Sequence, residues 1–333
     1  MRAAYCTSPH RIELRDAPEP NAAAGEVLVR VAACGICGSD LHYFTGAAPP
    51  PPVCLGHEIV GRVASPAGGF AAGETVVIEP LLACGRCERC QAGQPNLCPR
   101  LRILGSMAPG GFAEAVAVPA TTLLRVPPGL PIETAMLAEP LAVGVHASHV
   151  AAIGPGERVL VLGAGAIGLL TAFAAARAGG AVTVSARHPH QADAARALGA
   201  AVVGAEPDVV RAWSATAPPD VVLETVGGAG TTLDLALEAV RPGGRIAALG
   251  KFTQPIVLPP LRFLMKEVHL TSSMTYCRQG ARPDFATALA LLAAHPTLGS
   301  LVTHAVPLAD AARGFTLAAD KRSGAVKVAV RAD

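Results

Sequence analysis

Cys84, Cys87, Cys90 and Cys98 stand in the run "CGRCERCQAGQPNLC", a C-x2-C-x2-C-x7-C array. Thiolates two residues apart can turn back onto one ion, and a fourth sulfur closes a tetrahedral shell with no position left for water. Such a shell points to structural zinc, so the chemistry must lie elsewhere. An iron–sulfur cluster, four unliganded thiols and a nucleic-acid zinc ribbon are the competing readings, and Arg86, Arg89 and Arg100 make only a weak basic surface for the last. A second pattern is "GAGAIG" at 163–168, which follows the apolar run "RVLVL" and opens the helical run "IGLLTAFAAARAGG". In that setting Gly163 permits a tight turn, Gly165 lets a pyrophosphate approach the backbone and Gly168 lets helix and strand pack closely, while Ala166 and Ile167 stand at the amide-rich helix start. The acid that normally follows about twenty residues later, to hold a ribose, is missing. The stretch "VTVSARHPH" at 182–190 carries Arg187, His188 and His190 and no carboxylate.

Two kinds of element must position these groups. The first 140 residues carry short alternating runs, "EVLVRVAA", "IVGRVA", "ETVVIEP" and "FAEAVAVP", between Gly and Pro punctuation, the pattern of a small all-β unit. From about residue 157 the texture becomes strand then helix, in "RVLVLG", "AVTVSA", "DVVLETVG" and "GGRIAALG" with their sequels, which predicts a parallel sheet covered by helices. The tail from about 278, with "ALALLAAH", "LVTHAVPL" and "AVKVAV", returns to helix and short strands that fit the first unit.

The chain has 333 residues, 51% hydrophobic and 16% charged, enough for two domains with their own cores. A formal net charge of +2, with no dense Lys/Arg run, argues against a nucleic-acid or membrane-surface partner. No apolar run reaches the roughly 18–20 residues of a spanning helix, and the N-terminus lacks a signal-like apolar segment, so a cytoplasmic protein is expected. Nine cysteines fit metal ligation in a reducing compartment better than a disulfide set.

Taken together, "CGICGSDLHYF" at 34–44, "GHEIVG" at 56–61, the cysteine loop at 84–98, "AEPLAVGVHA" at 138–147 and "VLVLGAGAIG" resemble the zinc-dependent medium-chain dehydrogenase/reductase family over nearly the whole chain. Within that family the sequence is most similar to sorbitol-like polyol dehydrogenases, then to threonine dehydrogenases. The resemblance implies an α/β fold: a GroES-like β-barrel catalytic domain over 1–141 and 278–333, and a Rossmann doubly wound parallel-sheet cofactor domain over 142–277. It implies a catalytic zinc at Cys37, His57 and Glu58, with Glu139 where related alcohol dehydrogenases place a second cysteine. One thiolate, one neutral imidazole and one carboxylate leave Zn2+ near zero net charge with a position open for substrate, so Glu139 is expected to act through water or by exchange. Ser39 and His42 match the family's proton relay, and Tyr43 and Tyr276 match positions that line the polyol pocket.

Where sorbitol-like relatives carry an arginine before the second tyrosine, this chain has Thr275, so a smaller, less hydroxylated or cyclic alcohol is expected. The family's ribose-binding acid falls at Ala186. Its absence, with Arg187 next and Ser185, His188 and His190 near, predicts a preference for NADP(H) over NAD(H). The expected function is hydride transfer between NADP(H) and a secondary alcohol or polyol, or the matching ketone, with two zinc ions per chain, one catalytic and one structural. A homodimer or homotetramer formed through the cofactor domain is implied by the resemblance. The alternatives are a threonine-type, cyclitol or amino-alcohol dehydrogenase using NAD(H) and, from another class, an inactive dinucleotide-binding sensor.

Overall fold

The computed structural model describes residues 1–228, 231–278 and 283–332. It divides into two compact units, Met1–Glu139 with Cys277–Asp333, and Pro140–Tyr276. Part of the expected segment 278–333, namely 279–282 and 333, lies outside the described residues.

The first unit is GroES-like. Its seven-stranded sheet runs Val302–Pro307, Lys327–Arg331, Glu26–Gly35, Glu58–Val63, Thr75–Ile78, Leu123–Arg125, with Ala115–Pro119 paired to Glu26–Gly35. The alternation read in the sequence is the cause: Val27, Val29 and Val31 are buried while Arg30 is exposed, so one face of the strand packs and the other meets water. The four alternating runs each supply one strand, and the tail contributes Val302–Pro307 and Lys327–Arg331. Phe112 and Phe315 meet edge to face at 5.4 Å within this core. Each fully buried side chain of this size contributes about 1.5–3 kcal/mol.

The second unit is a Rossmann sheet of six parallel strands in the order Ala201–Gly204, Ala181–Ala186, Arg158–Leu162, Val221–Glu224, Arg245–Ala248, His269–Ser272. Val159–Leu162 is an unbroken apolar run because helices cover both faces of a parallel sheet, and each of its residues is 1% exposed or less. Chain order reverses between Arg158–Leu162 and Val221–Glu224, which makes the ends of those strands the switch point where such sheets bind ligands. Ala201–Gly204 and His269–Ser272 are strands that periodicity did not reveal. Both are four-residue sheet edges, and all residues of the second are exposed, so neither needs a continuous apolar run. Among the described residues no helix is long and apolar enough to cross a membrane.

Candidate zinc and cofactor sites

Sheet register assembles the first cluster. Gly35, at the end of strand Glu26–Gly35, pairs with Glu58, the first residue of Glu58–Val63, so Cys37 emerges beside His57 and Glu58. The ligand atoms of Cys37, His57 and Glu58 all lie within 4.8 Å of one another. Two glycines make the approach possible. A Cβ at Gly35 would lie 1.9 Å from Glu58 Oε2, and Gly56, at φ +97, has Cys34 Sγ only 2.7 Å from where a Cβ would be.

Two residues that the sequence reading passed over complete the cluster. Asp40 is 1% exposed; its Oδ2 accepts the Cys37 amide at 3.0 Å, and its Oδ1 lies 3.9 Å from His57 Nδ1. It thereby fixes the helix start that carries Cys37 and orients the imidazole. Burial would lower the His57 pKa, yet the Asp40 charge, joined by Cys37 and Glu139, holds it well above the usual value. Lys327 is 2% exposed and donates from Nζ to Glu58 Oε1 at 2.6 Å and to the Ile36 carbonyl at 3.1 Å. Signals for both were in the sequence: Asp40 stands three residues after Cys37 in a helix-capping position, and Lys327 is the one charge in the apolar run "AVKVAV".

Glu58 is fully buried, and its Oε2 has no hydrogen-bond partner among the described residues. An orphan carboxylate oxygen beside a thiol and an imidazole fits a divalent cation, since a buried unpaired acceptor is costly. Glu139, second residue of helix Ala138–Val150, is 6% exposed and is not one of the three residues that meet within 4.8 Å. Burial pushes its carboxyl up to about 7, with His57 opposing the shift and Glu58 adding to it. Ser39, His42 and Tyr43 lie on the short helix Gly38–Phe44 and are all half-buried. Tyr276, by contrast, is fully buried and has no surface to offer a substrate in this structure.

The four-cysteine loop is separately gathered. Its sulfurs lie 3.5 Å (Cys87–Cys90), 3.8 Å (Cys87–Cys98) and 3.9 Å (Cys84–Cys90) apart. A tetrahedron with Zn–S bonds of about 2.3 Å has edges of about 3.8 Å. The Arg86 amide brings the Cys84 thiol down to about 5, whereas desolvation and the Cys87 sulfur push Cys90 up to about 12. Without a cation the four cannot all ionise, and zinc removes that conflict. Cys98→Ser is therefore expected to remove one metal per chain and lower Tm by roughly 5–10 °C, read by metal analysis and thermal unfolding.

In the second unit the glycine turn fits a dinucleotide. Gly163 has φ +101, and a Cβ there would lie 2.7 Å from Val226 Cγ2; a Cβ on Gly168 would lie 2.0 Å from the Gly163 carbonyl oxygen. Gly165 caps helix Ala166–Arg177 and has open space where its Cβ would be, as a phosphate approach requires. Ala166 and Ile167 open that helix. Strand Ala181–Ala186 ends at the expected place, with Ala186 8% exposed and Arg187 exposed directly after it. Ser185 is buried, and its Oγ accepts the Gly163 amide at 3.1 Å, so it braces the glycine turn. His188 caps helix Pro189–Ala197, and its ring stacks on His190 with centroids 5.6 Å apart.

Residues 23–128 match the alcohol dehydrogenase GroES-like domain, and residues 166–294 match the zinc-binding dehydrogenase domain. A sorbitol dehydrogenase of Bacillus subtilis (strain 168) is 36% identical over 75% of each chain. An L-threonine 3-dehydrogenase of Anaeromyxobacter dehalogenans (strain 2CP-C) is 33% identical over 93% of each. A dehydrogenase from Sinorhizobium meliloti 1021, solved bound to NADP, superposes with a TM-score of 0.88 at 32% identity, over 99% of this chain and 98% of that one. The chain belongs to the zinc-type alcohol dehydrogenases of the medium-chain dehydrogenase/reductase family.

Proposed function

We propose that this chain is a zinc-dependent, NADP(H)-preferring dehydrogenase that interconverts a secondary alcohol or polyol and the matching ketone. The observation that carries the activity is the cluster of Cys37, His57 and Glu58 around an unpartnered buried oxygen, in a chain that also holds an open dinucleotide turn. In this reading Cys37, His57 and Glu58 hold the catalytic zinc with Glu139 beside it, and Cys84, Cys87, Cys90 and Cys98 hold a structural one. When bound, the catalytic ion supplies Lewis acidity that lowers the pKa of the substrate hydroxyl. Ser39 Oγ takes up the hydroxyl proton as it passes its own on toward the His42 imidazole, which releases a proton to solvent. Tyr43 forms the pocket wall in place of the fully buried Tyr276. The reading places the protein in the cytoplasm.

The cofactor preference rests on Arg187. Removing the carboxylate at Ala186 removes a charge that would repel a 2′-phosphate, and an exposed guanidinium can bind one bidentately. A hydrogen bond to a charged group contributes roughly 1.5–3 kcal/mol, so Arg187→Ala should lower kcat/KM for NADPH by about ten- to a hundredfold and leave NADH nearly unchanged. A wild-type preference for NADH would overturn this part of the reading.

Self-association through the cofactor unit is also proposed. Strand His269–Ser272 leaves an open sheet edge, flanked by Leu264 at 70% and Met265 at 73% exposure. Such an edge pairs readily with another strand, and exposed apolar patches mark interfaces. Sedimentation should give a dimer or tetramer, and Leu264→Glu with Met265→Glu should shift it toward monomer.

A second reading has a specific support: the L-threonine 3-dehydrogenase similarity extends over 93% of the chain. Secondary alcohols, polyols, cyclitols and threonine assayed with NADP+ and NAD+ separate the two. Turnover of a neutral alcohol or polyol with NADP+ supports the proposal, and turnover of threonine alone with NAD+ replaces it.

A further inference from the structure

Three helices of the second unit, Pro207–Thr216, Thr231–Ala239 and Pro260–Lys266, meet at an open cavity of about 460 Å³ that the proposed reaction does not use. Its wall also takes in Pro218, shortly before strand Val221–Glu224, and Arg241, shortly before strand Arg245–Ala248. The cavity therefore lies where those strands begin, at the opposite end of the sheet from the strand ends that bind a dinucleotide in a doubly wound fold. Its volume falls in the range of roughly 300–1,000 Å³ typical of small-molecule sites.

The lining is cationic. Arg211, Arg241, Arg262 and Lys266 face it against a single carboxylate, Glu238. Asp208, Asp220 and Asp234 also accept guanidinium hydrogen bonds, but none of them is part of the wall. Lys266 donates from Nζ to the carbonyls of Leu237 at 3.0 Å, Glu238 at 2.7 Å and Val240 at 2.6 Å, so it caps helix Thr231–Ala239 and offers the cavity charge but no donor. Burial and the Arg262 charge, against Glu238, hold its ammonium below the usual lysine pKa.

The arginines keep donors in reserve. Arg211 uses Nε on Glu238 at 2.6 Å and Nη1 on Asp208 at 2.8 Å, and Arg241 uses Nε on Asp220 at 2.6 Å and Nη1 on the Pro242 carbonyl at 2.9 Å. Arg262 uses Nη1 alone, on Glu238 at 2.8 Å and Asp234 at 3.4 Å. Among the described residues, Arg262 Nε and the Nη2 groups of all three have no hydrogen-bond partner. A guanidinium anchored at one edge presents its remaining edge in a set direction, the geometry that binds phosphate and carboxylate oxygens. Three such groups suit a phosphate, with three acceptor oxygens and up to two charges, better than a carboxylate with two oxygens and one charge. Ala215, Pro218 and Val240 add an apolar part to the wall, which suits an organic body attached to that phosphate.

We infer that this cavity is a second binding site, apart from the cofactor's, for a small phosphomonoester held by Arg211, Arg241 and Arg262. The test is calorimetric titration of the full-length, zinc-loaded protein at constant ionic strength with glycerol 3-phosphate, inorganic phosphate, glycerate and glycerol. One glycerol 3-phosphate per chain should bind with a Kd of about 1 mM or tighter, inorganic phosphate at least about threefold more weakly, and glycerate and glycerol more than about tenfold more weakly. Arg262→Gln and Arg211→Gln should each weaken glycerol 3-phosphate at least about tenfold, whereas Arg187→Ala, at the cofactor end, should change it less than about twofold. The Arg262 and Arg211 side chains are 40% and 48% exposed, so both variants should fold. No saturable binding up to about 20 mM, or binding that Arg187→Ala abolishes and Arg262→Gln leaves intact, would overturn the inference. Glycerate bound as tightly as glycerol 3-phosphate would overturn the choice of phosphate, and inorganic phosphate bound as tightly would overturn the choice of a phosphomonoester.

Discussion

Lys327→Met is expected to destabilise the fold by about 3–5 kcal/mol, because it strands the buried Glu58 carboxylate without its ammonium. The pair is 2% and 0% exposed at its two ends, so solvent cannot take over the lost interaction. Urea unfolding of the wild type and variant reads the difference directly. The double variant Lys327→Met, Glu58→Gln should recover part of it, since removing both charges costs less than isolating one. A pH dependence follows with a definite sign. Burial opposes the charged form, but Glu58, Cys37 and Glu139 more than offset it, so the folded Lys327 pKa lies above 10.5. Its contribution is fully present below about 10.5 and is lost as pH rises through the higher folded value. Stability should therefore hold on the lysine's account through neutral pH and fall only in strong alkali.

Cys37→Ser should lower kcat/KM for alcohol oxidation by about a thousandfold or more while leaving the fold and dinucleotide affinity intact. A thiolate ligand is removed from a three-residue set, and Lewis acidity worth several kcal/mol is withdrawn from the developing charge. The structural cluster does not share this residue, so Tm should change far less than in Cys98→Ser. Steady-state kinetics, with NADPH binding measured by fluorescence, separates loss of chemistry from loss of cofactor. A Cys37→Ser enzyme that keeps wild-type turnover would remove Cys37 from the active site.

Both effects converge on charge. The sequence reading balanced Zn2+ against Cys37 and Glu58 and concluded that Glu139 would make the site negative. Lys327 changes that sum, because over Zn2+, Cys37, Glu58 and Lys327 the formal total is +1 and one further carboxylate can be accommodated. Glu139 and Asp40 are the two carboxylates at hand, and Asp40 is already engaged with the Cys37 amide and His57.

The two fold types were legible because their signals are local. Valines alternating with polar residues over 26–35 dictate a half-buried strand, and "RVLVL" followed by glycines and an alanine-rich helix dictates the first Rossmann unit. The four sulfurs were legible because their spacing alone suffices. The edge strands Ala201–Gly204 and His269–Ser272 were not, since an edge needs no apolar run and depends on which neighbour the fold supplies. Lys327 was missed for a related reason: 269 residues separate it from Glu58, and only the pairing of Lys327–Arg331 with Glu26–Gly35 brings it near. Ser185 shows another contact of this kind: its Oγ accepts the Gly163 amide, a bond set by strand and turn geometry that leaves the hydroxyl hydrogen available to donate.

The most direct test of the account is metal content measured together with hydride transfer on the same preparation. The account expects two zinc ions per chain, NADP+-dependent oxidation of a secondary alcohol, and loss of that activity in step with the first ion removed by a chelator, with restoration on adding zinc. Full activity from a preparation that contains no zinc would contradict it.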